Sequence, residues 1–196
     1  MAGQNNFWSN PGLEPKRQYR WVFSFGRATG NEEGLLPSYI CRKVDKPTFN
    51  ITETEHTFLN HKFYYPGRVE WQEVSLTIVD PLGIDAANAL QRIVEEAGYV
   101  NPSNLTVGTA GPGKAPQGKL QTISKANFAS ENGVIGQAYI QQLDAAGSIR
   151  ETWTLNNAWI KSVDFGSLDY TADELVEITL QLRYDWATQS QGSPTT

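Results

Sequence analysis

The sequence predicts a mainly β domain with one flanking α-helix and a long protruding β-hairpin. In residues 176–184 apolar and polar side chains alternate strictly, which is typical of a half-buried strand. Residues 47–66 have high β propensity but little to bury, which indicates a β-ribbon. Residues 84–97 carry apolar side chains at helical spacing, and Gly98 follows them as a residue type favoured after a helix C-cap.

The chain begins with an irregular arm, residues 1–16, which is rich in Asn, Gly and Pro. Its large apolar residues, Phe7 and Trp8, pack either on the parent domain or on a neighbouring subunit, because ordering an arm costs entropy that a surface must offset. Aromatic residues at period two then predict a first strand over 19–25. We expect one domain over residues 17–187, since 196 residues suffice for one sizeable core.

A second strand is predicted over residues 35–44, and the ribbon of residues 47–66 follows it with a turn near Asn60. The ribbon starts with apolar Phe49 and Ile51 but continues with acidic residues on the same side. A two-stranded hairpin with so little to bury is marginal in water. We therefore expect the ribbon to lean on another surface, such as another chain.

The later elements alternate between patterned strands and open loops. A strand is predicted over residues 69–79, and the helix of residues 84–97 covers an end or face of the sheet structure. Residues 100–119, rich in Gly and Pro, form an exposed insertion loop. Residues 135–156 read as a hairpin, and residues 188–196 form a polar C-terminal tail.

Charge and composition exclude several functional classes. With 16 basic and 21 acidic residues, the formal net charge of −5 gives no electrostatic footprint for gripping a phosphate backbone. The single cysteine, Cys41, excludes an internal disulfide framework. No run approaches the roughly 18 apolar residues of a transmembrane helix. The N-terminal residues lack a secretory signal pattern, so we expect synthesis in the cytoplasm, no general export and no membrane anchor.

Segments that resemble ligand-binding or catalytic motifs lack residues that the chemistry of those motifs requires. Residues 113–120 match a phosphate-binding loop until the last place, where Leu120 replaces the hydroxyl that holds magnesium. His56 and His61 lie near glutamates but have no third histidine or second cysteine beside them. Nucleophile–base pairs are also missing from the sequence pattern. The sequence predicts no catalytic residue, cofactor or metal site, and its amphipathic strands indicate an assembly module.

Three segments resemble the tail tube proteins of contractile-tailed bacteriophages. Residues 158–187 hold a tryptophan, a short loop, an acidic-aromatic turn, the alternating strand and a Tyr-Asp-Trp end, in the order of that family's closing segment. Residues 69–81 resemble its acidic-aromatic strand before the helix, and residues 18–26 resemble its aromatic first strand. The three matches lie in the right order along the chain.

The resemblance implies an antiparallel β-sandwich or small barrel with a flanking helix, in a structural protein without enzymatic activity. It implies six copies to a ring and rings stacked into a tube, the conduit for genome ejection. The implied partners are other copies of the chain, the tail sheath, the baseplate or tube initiator, the tape measure protein, and DNA in transit without specific binding. The implied location is the virion, in its contractile tail.

The resemblance also suggests roles for particular residues. It implies that the ribbon completes a sheet in a neighbouring subunit, since an exposed strand edge pairs readily with another chain. The inter-subunit residues would be Phe49, Ile51, Thr52, Phe58, Phe63 and Tyr64. The candidates for carboxylates facing the tube lumen are Glu73, Glu151 and Glu177, and the candidates for other subunit contacts are Phe7, Trp8, Asp185 and Trp186.

Two alternatives remain open at the level of sequence. One is a related part with the same fold, such as a tube initiator, a terminator or a secretion-system tube protein. The other is a carbohydrate-binding sandwich or small-ligand enzyme that uses Trp71, Trp153 and Trp159 as a stacking platform.

Overall fold

Two four-stranded sheets and a separate two-stranded ribbon make up the fold. The structure is a computed structural model that describes residues 15–26, 36–83, 85–100, 122–130, 133–171 and 173–192. Its strands are β1 (Trp21–Phe25), β2 (Cys41–Val44), β3 (Phe49–Phe58), β4 (His61–Trp71), β5 (Val74–Val79), β6 (Ala138–Leu143), β7 (Ile149–Asn156), β8 (Trp159–Asp164), β9 (Glu177–Arg183) and β10 (Trp186–Gln191), and its α-helices are α1 (Ala86–Glu96) and α2 (Lys125–Ala129).

All strand pairs are antiparallel, and the two large sheets are open. The first sheet has the order β1-β6-β7-β10, the second has the order β2-β5-β9-β8, and β3 pairs with β4 alone. The prediction of a mainly β, antiparallel sandwich with a protruding hairpin is therefore confirmed, and the described strands do not close into the barrel that was its alternative.

The core lies between the facing sides of the two sheets. On β5 and β9 the cross-strand pairs Leu76–Leu180 and Ile78–Ile178 are almost fully buried, and they belong to one apolar cluster with residues of the other sheet such as Phe23. The alternation that predicted β9 is confirmed, since Ile178, Leu180 and Leu182 are buried and the residues between them are not. Burying each such side chain contributes about 1.5–3 kcal/mol relative to leaving it exposed.

Helix α1, Ala86–Glu96, lies within the predicted range of residues 84–97. The Asp85 side chain accepts a hydrogen bond from the Asn88 amide, 2.8 Å away, and so caps the first turn. Leu90 and Ile93 are fully buried. Gly98 has φ +115°, and a Cβ at this position would clash with the Thr122 backbone, so the helix ends at a residue that only glycine suits.

Three predicted element boundaries are wrong, those of two strands and that of the C-terminal tail. In the predicted strand over 35–44, Ser38–Ile40 form a 3-10 helix after Pro37, and only Cys41–Val44 pair as a strand. The predicted strand over 69–79 is two strands, because the chain leaves the ribbon after Trp71 and enters the sheet at Val74.

The predicted polar tail, residues 188–196, also starts differently, because residues 188–191 belong to β10 and pair with β7. A polar edge strand is held by backbone hydrogen bonds, so it has no apolar pattern to reveal it. Helix α2 was not predicted. Most of the N-terminal arm, including Phe7 and Trp8, and all of the insertion after residue 100 lie outside the described residues. No helix in the described ranges is both long enough and apolar enough to cross a membrane.

Candidate assembly surfaces

The ribbon formed by β3 and β4 is exposed along nearly its whole length. Every residue from Phe49 to Glu70 is exposed, and only Trp71 at its base is half-buried. Large apolar side chains are among those exposed, including Ile51, Phe58, Phe63 and Tyr64. Since exposed apolar patches of this kind mark interaction sites on soluble proteins, the ribbon is the first candidate surface.

A β-bulge divides the ribbon into two halves. Ile51 faces Val69, but Glu53 faces Pro66, so Thr52 stands opposite two residues, Gly67 and Arg68. The Thr52 hydroxyl accepts a hydrogen bond from the Arg68 amide at 2.8 Å. A Cβ on Gly67 would clash with Thr52. Thr52, predicted as a contact residue, thus has a defined role inside the chain.

At its base the ribbon joins the body through a row of aromatic rings. The centroids of Phe49 and Trp71 are 5.1 Å apart, and those of Trp71 and Tyr184 are 6.0 Å apart. Beside them lies a groove of about 850 Å³, lined by the ribbon base, α2 and the start of β8, with Trp159 and Phe128 among its walls. Burial raises the pKa of Tyr184 to about 12, and its hydroxyl finds no hydrogen-bond partner among the described residues.

Asp185 and Trp186, two predicted contact residues, lie at or beside this groove. Asp185 lines it and accepts hydrogen bonds from Lys125 at 2.5 Å and Asn157 at 2.8 Å. These hydrogen bonds, Lys125 first, hold the pKa of Asp185 below its usual value. Trp186 opens β10, an edge strand, and remains 45% exposed. The structure therefore brings Asp185 together with the ribbon base, which the sequence had not linked.

Glu151 is a buried anion rather than a surface carboxylate. Its residue is 5% exposed, and its side chain accepts hydrogen bonds from Lys16, Lys46 and the Trp153 indole. Burial alone would raise the pKa of Glu151, but these three donors overcome it and lower that pKa to about 2. The prediction that Glu151 faces a lumen is corrected, because its carboxylate is buried within the body against Lys16, Lys46 and Trp153.

The other two lumen candidates, Glu73 and Glu177, lie at the outer side of the second sheet and are paired with cations. Glu73 contacts Lys161 at 2.5 Å and Arg183 at 3.6 Å. Glu177 forms an ion pair with Arg42, which lies on β2. Both carboxylates are partly buried. Glu177 and Arg42 form a neutral pair, whereas Glu73 with its two cations leaves one net positive charge, so neither carboxylate is a free negative charge.

A second exposed apolar segment follows β8. Leu168, Tyr170 and Leu175 are largely or fully exposed, and the loop that carries them borders a groove of about 1190 Å³ beside the edge strand β2. The sequence resemblance includes this segment only as a short loop and an acidic-aromatic turn. Its apolar content was the signal that could have identified it as a second candidate surface.

The residues that would form a carbohydrate platform or a metal site do not lie together in the structure. Trp71 and Trp159 share the groove at the ribbon base, but Trp153 lies elsewhere and donates to Glu151, so the three tryptophans do not form one platform. His56 and His61 lie on the exposed ribbon strands, and in the described ranges no group of three potential metal ligands occurs. The segment 113–120 lies outside the described residues.

Comparison with solved structures identifies the class of fold. The fold is similar to that of chains solved within contractile injection particles, so the tail-tube-like resemblance is confirmed at the level of the fold. No family model and no curated protein matches the sequence.

Three of the similar chains come from assembled particles studied by cryo-EM. A chain of the anti-feeding prophage cap, described as its tube terminating cap, has a TM-score of 0.60 and 17% identity over 91% of this chain and 93% of that one. A chain of the sheath/tube terminator of the extracellular contractile injection system PVC has a TM-score of 0.53 and 17% identity, over 90% and 97%. A chain of the PVC sheath–tube complex has a TM-score of 0.52 and 15% identity, over 96% and 99%.

Proposed function

We propose that this protein is a structural subunit of a phage-type tail tube, and that its role is assembly rather than catalysis. It forms hexameric rings that stack into a tube, within a contractile tail or a related injection particle. The observation that carries the proposal is the ribbon, a ten- and eleven-residue strand pair that its own body leaves exposed.

The chain holds both halves of an intermolecular sheet contact. Among the described strands β3 and β4 pair only with each other, so the ribbon presents two backbone edges to a partner. The body presents the edge strands β8 and β10, each six residues long. Main-chain pairing between such edges gives affinity without a large apolar patch, and ring closure then removes the edges that would otherwise aggregate.

The partners and the cargo follow from a tube role. We propose contacts with other copies of this chain, the sheath, the tape measure protein and the baseplate or tube initiator, and passage of DNA through the lumen without specific binding. The outer side of the second sheet supports passage without sticking, because Glu73 and Glu177 each offset a neighbouring cation and so weaken the attraction of that surface for a phosphate backbone.

The test of the tube is electron microscopy of the purified, concentrated protein, which is expected to show rings or hollow filaments. In a matched variant, residues 52–68 are replaced by a two-residue Asn-Gly turn that joins Ile51 to its partner Val69. This variant is expected to fold with the same thermal stability but to stay monomeric. A wild-type protein that remains monomeric at high concentration, alone and with particle components, contradicts the proposal.

The same fold occurs in chains of a cap and of a sheath–tube complex, so copy number decides which part this protein forms. Quantitative mass spectrometry of purified particles is expected to find many copies for each copy of a baseplate component. A ratio of about one ring per particle would instead assign the protein to an initiator or a terminator.

Charge reversal tests the lumen assignment. In the double variant Glu73→Lys and Glu177→Lys the tube is expected to assemble but to eject DNA more slowly, because six copies per ring add positive charge along the DNA path. The neutral double variant Glu73→Gln and Glu177→Gln controls for the lost ion pairs, which cost about 0–1 kcal/mol at such exposed positions. Ejection rates equal in both variants and wild type remove these residues from the lumen.

A further inference from the structure

The bulge at Thr52 places the apolar residues of the ribbon on opposite faces. Trp71, Val69, Tyr65 and Phe63 are all odd-numbered, so in a regular strand they would form one continuous apolar row. The extra residue at Gly67–Arg68 changes the pairing, so that Phe63 lies opposite His56 instead of Thr57. Beyond the bulge, β4 therefore turns Phe63 and Tyr65 to the face opposite that of Val69 and Trp71.

Two separate surfaces result. The foot surface consists of Phe49, Ile51, Val69 and Trp71, which are cross-strand pairs on one face near the body. The tip surface consists of Phe58, Phe63 and Tyr65 on the other face near the turn. Apart from Trp71 these side chains are all exposed, at about half of their surface or more.

The foot surface is not isolated, because it continues into the groove of about 850 Å³ at the ribbon base. The groove walls add Tyr184, Trp159 and Phe128 to the foot surface. An aromatic occupant suits such walls, since aromatic rings pack edge-to-face or offset against one another. The tip surface provides that kind of occupant, three aromatic side chains on a rigid strand pair that projects away from the body.

We propose, resting on the proposed tube function, that the tip surface of one copy seats on the foot surface and groove of the next copy. Because donor and acceptor surfaces differ, the contact is heterologous and each ribbon touches two different neighbours, one through its foot and one through its tip. The bulge is then a specificity device. It keeps a chain from presenting both surfaces on one face, where a single neighbour would cover them.

Disulfide trapping tests this pairing in a Cys41→Ala background, which removes the native thiol. One chain carries Ile51→Cys on the foot surface and the other carries His56→Cys, which lies opposite Phe63 on the face of the tip surface, and the two are mixed and oxidised after assembly. The expected product is the mixed dimer, with little homodimer of either kind. The matched controls Asn50→Cys and Tyr64→Cys lie at the same heights on the opposite faces and are expected to cross-link at least tenfold less.

Deletion of Gly67 gives a second test that leaves the ribbon's other residues unchanged. Without the extra residue the pairing becomes regular, Phe63 moves to the face of Val69, and the mixed dimer is expected to disappear while the melting temperature stays the same. Thr52→Ser keeps the hydroxyl that binds the Arg68 amide and is expected to keep the mixed dimer.

The outcomes separate the two proposals. Assemblies seen by electron microscopy that give His56→Cys homodimers, or no mixed dimer, overturn the tip-to-foot pairing and leave the tube role standing. Protein that neither assembles nor cross-links contradicts the tube role and the pairing with it.

Discussion

The β5–β9 pair and the ribbon are both antiparallel strand pairs, but they differ in where their side chains go. In β5 and β9 every second residue is buried, whereas β3 and β4 are exposed from end to end except at Trp71. The first pair therefore stabilises the fold, since buried apolar area dominates folding free energy. The ribbon contributes little to the folding stability of the single chain, so its apolar side chains become buried only in contact with a partner.

The largest expected effect comes from removing a core side chain of β9. Leu180 is fully buried opposite Leu76, so Leu180→Ala leaves a cavity and is expected to lower the free energy of unfolding by about 2–5 kcal/mol. Thermal denaturation should show a fall in Tm on the order of 10 °C. A fall of less than about 1 °C would mean that β9 is not part of the core.

An intermediate effect is expected at Glu151, the carboxylate that is buried in the body. Its folded pKa of about 2 lies below the ordinary value of 4.5, so its charged form stabilises the folded state at neutral pH. That stability is present above about pH 5 and is lost as the pH falls towards 2. Glu151→Gln should cost about 1–3 kcal/mol at pH 7, and the difference from wild type should shrink on acidification.

The control for this prediction is Glu55→Gln on the ribbon. Glu55 also pairs with a lysine, Lys62, but in the open, so its loss should change stability by less than about 0.5 kcal/mol at any pH. Equal losses in the two variants would contradict the distinction between a buried and an exposed ion pair.

The smallest effect on stability is expected on the ribbon, where the effect on assembly is greatest. Phe63→Ser removes a side chain that is 48% exposed, so the free energy of unfolding should change by less than about 0.5 kcal/mol. Sedimentation velocity of the same sample should show the loss of large assemblies. A strongly destabilised variant would instead show that the ribbon packs on its own body.

The sequence predicted elements wherever burial imposed a pattern. Strand β9, helix α1 and the hairpin of β6 and β7 follow from apolar periodicity, because facing a core selects alternate or helical positions. Strand β10 and the 3-10 turn at Ser38 were missed, since backbone pairing and a local turn leave no such pattern. Glu151 was misassigned because its burial depends on Lys16 and Lys46, which lie more than a hundred positions away along the chain.

The ribbon itself was predicted, but its two faces were not. The bulge depends on a single Gly67 against Thr52, and an apolar row of one parity gives no sign that the strand changes face partway along. The untested assignments, Phe7 and Trp8 at a subunit contact and the lumen position of Glu73 and Glu177, remain predictions.

Glu151 also bears on how the molecule carries mechanical force. One end of the ribbon runs from Trp71 into β5, an interior strand of the second sheet. The other end begins three residues after Lys46, whose ammonium group binds Glu151 on β7, an interior strand of the first sheet. By backbone both ribbon strands connect to the second sheet, β3 to the edge strand β2 and β4 to β5, and the Lys46 ion pair adds a link to the first sheet. Lys16, at the end of the N-terminal arm, binds the same carboxylate. Glu151 therefore binds both the end of the arm and the segment that leads into the ribbon.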